Sequence, residues 1–464
     1  MNNTYDALII GTGQAGPTLA SRLAASGLQT AIIERARFGG TCVNVGCTPT
    51  KTMVASARAA YVARRAAEFG VVIDGPVNVD MKRIKLRKDA VVRRSNEGVE
   101  NWLKNTENLT VYEGHARFEA PHVVRVGDDL LTADRIFVNV GARAVVPDMP
   151  GVAAVKILTS SDMMDIDFLP EQLVVIGGSY IGLEFGQMFR RFGSKVTIVE
   201  MKPRLIARED EDVSAAVQEI LENEGVDLRL NAECIALAPD GDGIRVTVDC
   251  EDNEPEVLGS HVLMATGRRP NTDDLGLDKA GIDYNERGYI QVDDQLMTNV
   301  PNVWALGDVN GEGAFTHTAY NDHEIVADNL LTNDTRRLSD RIQTYGLFID
   351  PPLGRVGMTE AQARESGREV LVGKRLMTRV SRAVEKGETQ GFIKIMVDAN
   401  TQEILGAAIL GVGGDEAVHS ILDVMYAKAP YTVITRAVHI HPTVSELIPT
   451  TLGDLKPLGA KVSA

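Results

Sequence analysis

The sequence is poor in cysteine, with four in 464 residues. That excludes a disulfide-stapled scaffold and fits a reducing compartment, where a disulfide is catalytic rather than structural. Positive charge is also short: 48 lysines and arginines stand against 64 acids, for a net charge of −16. This balance argues against nucleic acid and anionic membrane surfaces as partners. No stretch reaches the roughly 18 uninterrupted apolar residues of a membrane span. The N-terminus lacks a basic segment followed by an apolar core, and Tyr5–Ile10 already reads as a strand, so the expectation is a cytoplasmic protein without a signal peptide. With 44% apolar and 24% charged residues the chain is an ordinary globular one. Its length suggests about three domains.

Two of the four cysteines fall in Gly39-Gly40-Thr41-Cys42-Val43-Asn44-Val45-Gly46-Cys47-Thr48-Pro49-Thr50-Lys51, spaced C-x4-C. The following run, Thr52 to Phe69, carries seven alanines and reads as a long buried helix. Cys47 then sits near a helix N-terminus, where unpaired N–H groups and the macrodipole favour a thiolate. On spacing alone three readings stand: a redox pair, two core cysteines, or half a metal site. Zinc pairs need two further ligands, and none is found nearby, so no metal is expected. Cys234 and Cys250 stand alone and read as inert thiols.

Asp6–Ile10 is a short apolar run suited to a buried parallel strand. It leads into Gly11-Thr12-Gly13-Gln14-Ala15-Gly16, an alanine-rich helix and a strand ending at Glu34, 18 residues after the last glycine. The glycines permit a tight turn and close approach of a pyrophosphate to the helix N-terminus, while the acid accepts ribose hydroxyls. A second unit repeats the pattern: Leu173–Ile176, Gly177-Gly178-Ser179-Tyr180-Ile181-Gly182, a helix to Phe192 and a strand ending at Glu200. Gly177 stands as far from Gly11 as Glu200 does from Glu34, so the two units superpose without a gap. Ser179 replaces the middle glycine and is small enough to keep the backbone approachable. Two such units imply two dinucleotides and electron transfer between them, or a fusion of two unrelated dehydrogenases. Between them Arg94–Leu103 reads as a helix, Leu109–Val126 as two strands around Gly114-His115-Ala116, and Leu158–Leu169 as a linker. Two strands end at glycine corners, Gly141 and Gly267.

The stretch GGTCVNVGCTPTK resembles the active-site signature of the flavin-dependent pyridine nucleotide–disulfide oxidoreductases, which include dihydrolipoamide dehydrogenase, glutathione reductase and mercuric reductase. The resemblance extends in motif order from Ile9 to about Pro449. It implies an α/β fold of two Rossmann-like domains, one for FAD (1–155 and 271–340) and one for NAD(P) (156–270), with a C-terminal α+β dimerisation domain (341–464). Asn302–Val309 resembles the second flavin motif, whose acid, Asp308, would bond the ribityl chain; taken alone, Asp308 equally reads as the N-cap of a helix over Phe315–Leu331. FAD contacts are implied for Gly11, Gly13, Gly16, Glu34, Gly40, Thr41, Lys51, Ala116, Gly141, Gly307 and Asp308. Nicotinamide nucleotide contacts are implied for Gly177, Tyr180, Gly182, Glu200 and Gly267.

From Thr344 onward the pattern is α+β, with alternating strands Phe392–Val397 and Ile404–Leu410 around a hairpin at Asp398–Thr401, then helices near Asp415–Lys428 and Tyr431–Val438. The run His441-Pro442-Thr443-Val444-Ser445-Glu446 resembles the base region that a partner subunit supplies, although the two charged residues alone read as a surface pair. The resemblance implies that Cys47 lies next to flavin, that Cys42 meets substrate, and that His441 acts as base, oriented by Glu446, across a homodimer. It also makes Lys51 and Glu184 an ion pair beside the reactive end of flavin, rather than helix-surface charge, and Tyr180 a ring that covers flavin until nicotinamide displaces it. Glu200 favours NADH, although Lys202 and Arg204 leave NADPH possible. The function implied is NAD(P)H to FAD to the Cys42–Cys47 pair to a disulfide. Alternatives are reduction of a metal ion or other electrophile, as in mercuric reductase, or a dihydrolipoamide dehydrogenase subunit of a larger complex. Against mercury, the chain ends Gly459-Ala-Lys-Val-Ser-Ala464 without a cysteine pair.

Overall fold

The structure is a computed structural model describing residues 3–249 and 256–459. Its first sheet is built on Thr4–Ile10, whose last four residues are buried. Thr30–Glu34 and Asp129–Val138 flank that strand in parallel, and Leu109–Glu113 extends the sheet beyond Thr30–Glu34. Strands covered on both faces need near-continuous apolar runs, which is what these sequences supply. Val303–Ala305 pairs in parallel with Ile136–Val138, although the whole second nucleotide unit separates them in sequence, and Val123–Val126 and Ala116–Ala120 add an antiparallel edge. The region expected to hold two strands therefore holds three, because His122 turns the chain with positive φ between Ala120 and Val123.

The second sheet has five strands, all parallel, with Gln172–Ile176 at its centre between Lys195–Val199 and His261–Met264. Ile157–Thr159 is an edge strand of this sheet, overlapping the start of the stretch that reads as a linker. A three-stranded antiparallel meander, Glu233–Asp240, Gly243–Asp249 and Glu256–Gly259, leads into His261–Met264. The chain leaves and re-enters the first sheet through Ala142–Ala144 and Arg268–Pro270, which pair with each other antiparallel. Gly141 and Gly267 make the corners with φ of 66° and 135°, a region that side chains disfavour.

The third sheet is antiparallel and six-stranded, from Thr344–Leu347 to Lys456–Pro457. Its central strands Phe392–Asp398 and Ile404–Leu410 are buried at every residue, where the sequence suggests half-exposed alternation. Both faces are covered. Ile393, Ile395 and Ile409 pack with Ile421 and Ile448 of the C-terminal helices, while Phe392, Ala408 and Leu410 share a core with Phe185 and Phe189 of the second nucleotide unit.

Helix boundaries differ from expectation in instructive ways. The cysteine helix runs Cys47–Arg64, followed by a 3-10 turn at Ala66–Phe69, and beyond its first turn only Met53 and Ala57 are buried. Alanine is a strong helix former whether or not it is covered. The helix expected at Arg94–Leu103 spans Met81–Lys104, started by Asp80, whose carboxylate accepts a hydrogen bond from the Arg83 amide at 3.1 Å. The C-terminal helices are shorter than their pattern suggests: Gly414–Ala417, His419–Tyr426 and Thr432–Thr435. The expectation that Cys234 and Cys250 are inert lies outside the described side chains.

Candidate active site

A cavity of about 2370 Å³ runs between the three sheets. Single-ligand pockets are usually about 300–1,000 Å³, so this one has room for two dinucleotides. Both dinucleotide loops open on it, as do Cys42, Cys47, Lys51, Glu184 and Asp308.

The two loops are built alike. Glu34 accepts from the amides of Thr12 at 3.1 Å and Ala36 at 2.9 Å. Glu200, at the matching place in the second unit, accepts from Gly178 at 2.7 Å and Lys202 at 2.9 Å. Each acid is thus held at the end of its strand with lone pairs to spare for ribose hydroxyls. A Cβ on Gly11 would come within 2.4 Å of the Asn139 carbonyl, and one on Gly40 within 2.8 Å of the Gly13 Cα. A Cβ on Gly177 would meet the Ala265 carbonyl at 2.4 Å in the same way. Gly16 and Gly182 do not line the cavity; a Cβ there would strike the Gly11 and Gly177 carbonyls at 2.3 and 1.9 Å. Their part is to bring helix and loop together. The Asn139 amide nitrogen lies buried beside Gly13 and Gly16 without a partner among the described residues. A glycine cradle, a held acid and an unused donor fit the adenosine pyrophosphate of FAD, and the second loop fits a nicotinamide dinucleotide. The Ser179 hydroxyl makes no helix-capping bond.

Cys47 is the first residue of its helix and Cys42 lies in the preceding short helix, Gly40–Asn44. Both are free thiols. They share one proton unequally: the hydrogen bond from Cys42 brings the Cys47 thiol down to about 6, helped by Thr316 and the Lys51 charge and opposed by burial. The same bond pushes Cys42 far up, reinforced by burial and the Cys47 charge. Thr316 Oγ1 lies 3.3 Å from Cys47 Sγ.

One turn along the cysteine helix, Lys51 Nζ is 2.7 Å from Glu184, whose side chain is only 8% exposed. The other oxygen of Glu184 accepts from the Phe348 amide at 3.1 Å, and Lys51 lies over the Phe348 ring at 4.5 Å. Tyr180 opens the helix that carries Glu184 and packs edge-on against Phe315 and Tyr345, with ring centroids 5.8 and 5.5 Å away. Asp308 sits in a 3-10 turn, Gly307–Val309, and does not cap the following helix, which starts at Thr316 after Phe315. Burial pushes its carboxyl up, offset by Arg268 at 3.6 Å. Thr41, Ala116, Gly141, Gly267 and Gly307 also line the cavity.

His441 lies elsewhere. Its Nδ1 is 2.9 Å from Glu446 Oε2, its side chain is 73% exposed, and neither residue lines the cavity of its own chain. Three contributors have no marker in the local sequence: Thr316, Asn139 and the Phe348 amide. Only the two nearby motifs, the glycine corner after Ile136–Val140 and the turn at Gly307, point toward the first two.

The description "Pyridine nucleotide-disulphide oxidoreductase" matches residues 5–322, and the dimerisation domain of the same family matches 344–452. The chain belongs to the pyridine nucleotide–disulphide oxidoreductases: an α/β flavoprotein enzyme that uses FAD and NAD(P)H, passes electrons between them and a redox disulfide, and assembles as a homodimer. Among its relatives is the probable pyridine nucleotide-disulfide oxidoreductase RclA of Escherichia coli, 38% identical over 96% of this chain and 98% of that one. A dihydrolipoyl dehydrogenase of Haloferax volcanii is 32% identical over 95% and 94% of the two chains, and a mercuric reductase of Streptomyces lividans 32% over 96% and 94%. A solved structure described as the Cu(II) complex of the HOCl-induced flavoprotein disulfide reductase RclA superposes with a TM-score of 0.89, at 37% identity, over 97% of this chain and 99% of that one. No helix among the described residues is long and apolar enough to cross a membrane.

Proposed function

We propose that Cys42 and Cys47 are the exit for electrons to a disulfide acceptor, and the unequal sharing of one proton between them carries this reading. The chemistry that FAD would supply when bound is acceptance of a hydride from the nicotinamide and passage of the electron pair to the cysteine disulfide. The first loop, with Glu34 and Asp308, holds FAD; the second, with Glu200 and Tyr180, holds the nicotinamide nucleotide. In this reading the chain divides into 1–155 with 271–340 for FAD, 156–270 for NAD(P), and 341–464 for the interface.

In the reduced pair Cys47 is the thiolate, and Cys42 keeps its proton. Cys42 therefore needs a base before it attacks. His441 of the second subunit supplies it: Nδ1 is occupied by Glu446, which orients the ring and stabilises the imidazolium, and Nε2 is left to take the proton. The Cys42 thiolate then attacks one sulfur of the acceptor, and the leaving thiolate takes the proton from His441. Cys47 attacks Cys42, re-forming the Cys42–Cys47 bond and releasing the second thiolate, which takes its proton from solvent. Two electrons leave the protein and two thiols are formed.

Glu200, facing the ribose, makes NADH the donor, because a 2′-phosphate would meet a carboxylate. Arg204, the alternative phosphate ligand, is drawn to Glu211 at 3.2 Å. A second acceptor class has a specific motive: the RclA relative is described as a Cu(II) complex. Two Cu(II) ions would take the electron pair of one dithiol. The deciding experiment is a panel of lipoamide, glutathione disulfide, quinones, Cu(II) and Hg(II), assayed with each reduced nicotinamide on wild type and Cys42→Ser. Disulfide reduction lost in the variant supports the reading; disulfide reduction kept there overturns it. A higher kcat/KM with NADPH overturns the NADH assignment.

A further inference from the structure

The second nucleotide loop holds phosphate and ribose, but nothing in it reads the nicotinamide ring. A group suited to that task lies behind Tyr180. Arg355, in the strand Leu353–Gly357, is directly opposite Tyr345 in the neighbouring strand, so both side chains leave the sheet on one face. Tyr345 is the ring against which Tyr180 packs. Arg355 lines the cavity, yet it is 1% exposed.

Its bonding is incomplete. Nη2 donates to Asp210 at 3.0 Å and lies 3.7 Å from Glu209. Nε and Nη1 have no partner among the described residues, and neither has Glu209 Oε1, on a side chain with no exposure at all that stands outside the cavity lining. Asp210 is meanwhile shared with Lys394 at 2.7 Å. Interiors leave few polar atoms in this state, because each carries its full desolvation cost. Both side chains are within electrostatic reach of the Tyr180 hydroxyl, which burial pushes up to about 12 with Glu209 adding to the rise and Arg208 and Arg355 opposing it.

Unused N–H donors beside an unused carboxyl acceptor are the complement of a primary carboxamide, whose oxygen accepts and whose NH2 donates. We propose that Arg355 and Glu209 recognise the carboxamide of the nicotinamide ring once Tyr180 has moved aside. Arg355 takes the carbonyl oxygen and Glu209 the amide N–H. This rests on the placing of the nicotinamide nucleotide in the second unit.

The test is calorimetric titration of the oxidised holoenzyme with NAD⁺, with 3-acetylpyridine adenine dinucleotide, which carries methyl in place of the amide NH2, and with ADP-ribose, which lacks the ring. Wild type should bind NAD⁺ about tenfold to a hundredfold more tightly than the acetyl analogue, the usual range for a lost bond to a charged group. In Glu209→Leu that ratio should fall to within about twofold of unity, and in Glu209→Gln, which keeps a carbonyl acceptor, it should persist. Arg355→Met should weaken both dinucleotides by a similar factor and leave the ratio alone, since both keep the carbonyl. ADP-ribose should bind all four proteins equally, which shows that the loop is intact. An unchanged ratio in Glu209→Leu, with ADP-ribose bound normally, overturns the carboxamide assignment. Absence of ADP-ribose binding to wild type overturns the placing of the dinucleotide itself, and the assignment with it.

Discussion

Cys42 and Cys47 are chemically identical and close neighbours in the chain, yet their surroundings pull their acidities in opposite directions. With Cys47 near 6, the reduced enzyme holds a thiolate at neutral pH. A thiolate against oxidised flavin absorbs at long wavelength, so that band should be present at pH 7 and fade as pH falls through about 6. The sign follows from a depressed pKa: the charged form exists above the value and is lost below it. Cys42→Ser should show the band without any reductant, because the serine hydroxyl still donates to a lone Cys47 thiolate, and Cys47→Ser should lack it at every pH. Both measurements are absorbance titrations of purified holoenzyme. At this scale the cysteines, the glycines and the two acids were legible because their chemistry is local: a spacing, a tight turn, a strand end. Thr316 was not, since it reaches Cys47 from a distant part of the chain and threonine carries no signature of its own. Asn139 was missed for a related reason. Its amide matters only because three glycines bare the backbone beside it.

Among the elements, the strand Phe392–Asp398 shows how far a pattern can mislead. Its residue Lys394 is 2% exposed, with its ammonium 2.7 Å from Asp210, 2.6 Å from Asp212 and 3.2 Å from Glu360. A lysine between isoleucines suggests an open face; here it meets carboxylates carried by the second nucleotide unit and by the helix Glu360–Glu365. Lys394→Met should therefore destabilise the protein by about 3–5 kcal/mol, the range for breaking a buried ion pair and leaving its partners uncompensated. Thermal unfolding should show a lowered midpoint, with the flavin spectrum of the folded protein unchanged below it. The helix Met81–Lys104 is the opposite case. Its long run of basic residues obscures the apolar stripe, and the clearest sign of its true start is the capping acid Asp80. Strands of the first two sheets were easier, because two-sided burial demands apolar runs that a single sequence displays openly.

For the whole molecule, His441 does not line the cavity of its own chain, and the proposed function takes it from the second subunit, so that each active site would be shared. His441→Gln should form the thiolate band normally while disulfide turnover falls by roughly 10²–10⁴-fold, the usual loss of a general acid–base. Mixing Cys42→Ser and His441→Gln dimers under conditions that allow exchange should restore activity that neither has alone. Random reassortment makes half the dimers mixed, and each mixed dimer holds one intact site and one doubly broken site. Recovery should approach about a quarter of wild type for a two-fold assembly with shared sites. No recovery after verified exchange would place the histidine in its own subunit's chemistry. The repeat of the dinucleotide unit made the overall plan readable. The joining of its parts was not, because the short antiparallel pair Ala142–Ala144 with Arg268–Pro270 is too brief to announce itself.

The strand Val303–Ala305 also bears on the order of events during synthesis. It completes the first sheet beside Ile136–Val138, and the turn after it carries Gly307 and Asp308. Everything between Val138 and Val303, the second nucleotide unit included, must leave the ribosome before that strand can dock. At about 5–20 residues per second the delay is roughly 10–30 s. During it the first sheet has an open edge beside Ile136–Val138, while the inserted unit completes its sequence before Val303 emerges. The later-translated unit is thus free to mature first, and FAD joins a chain whose second nucleotide unit is already made.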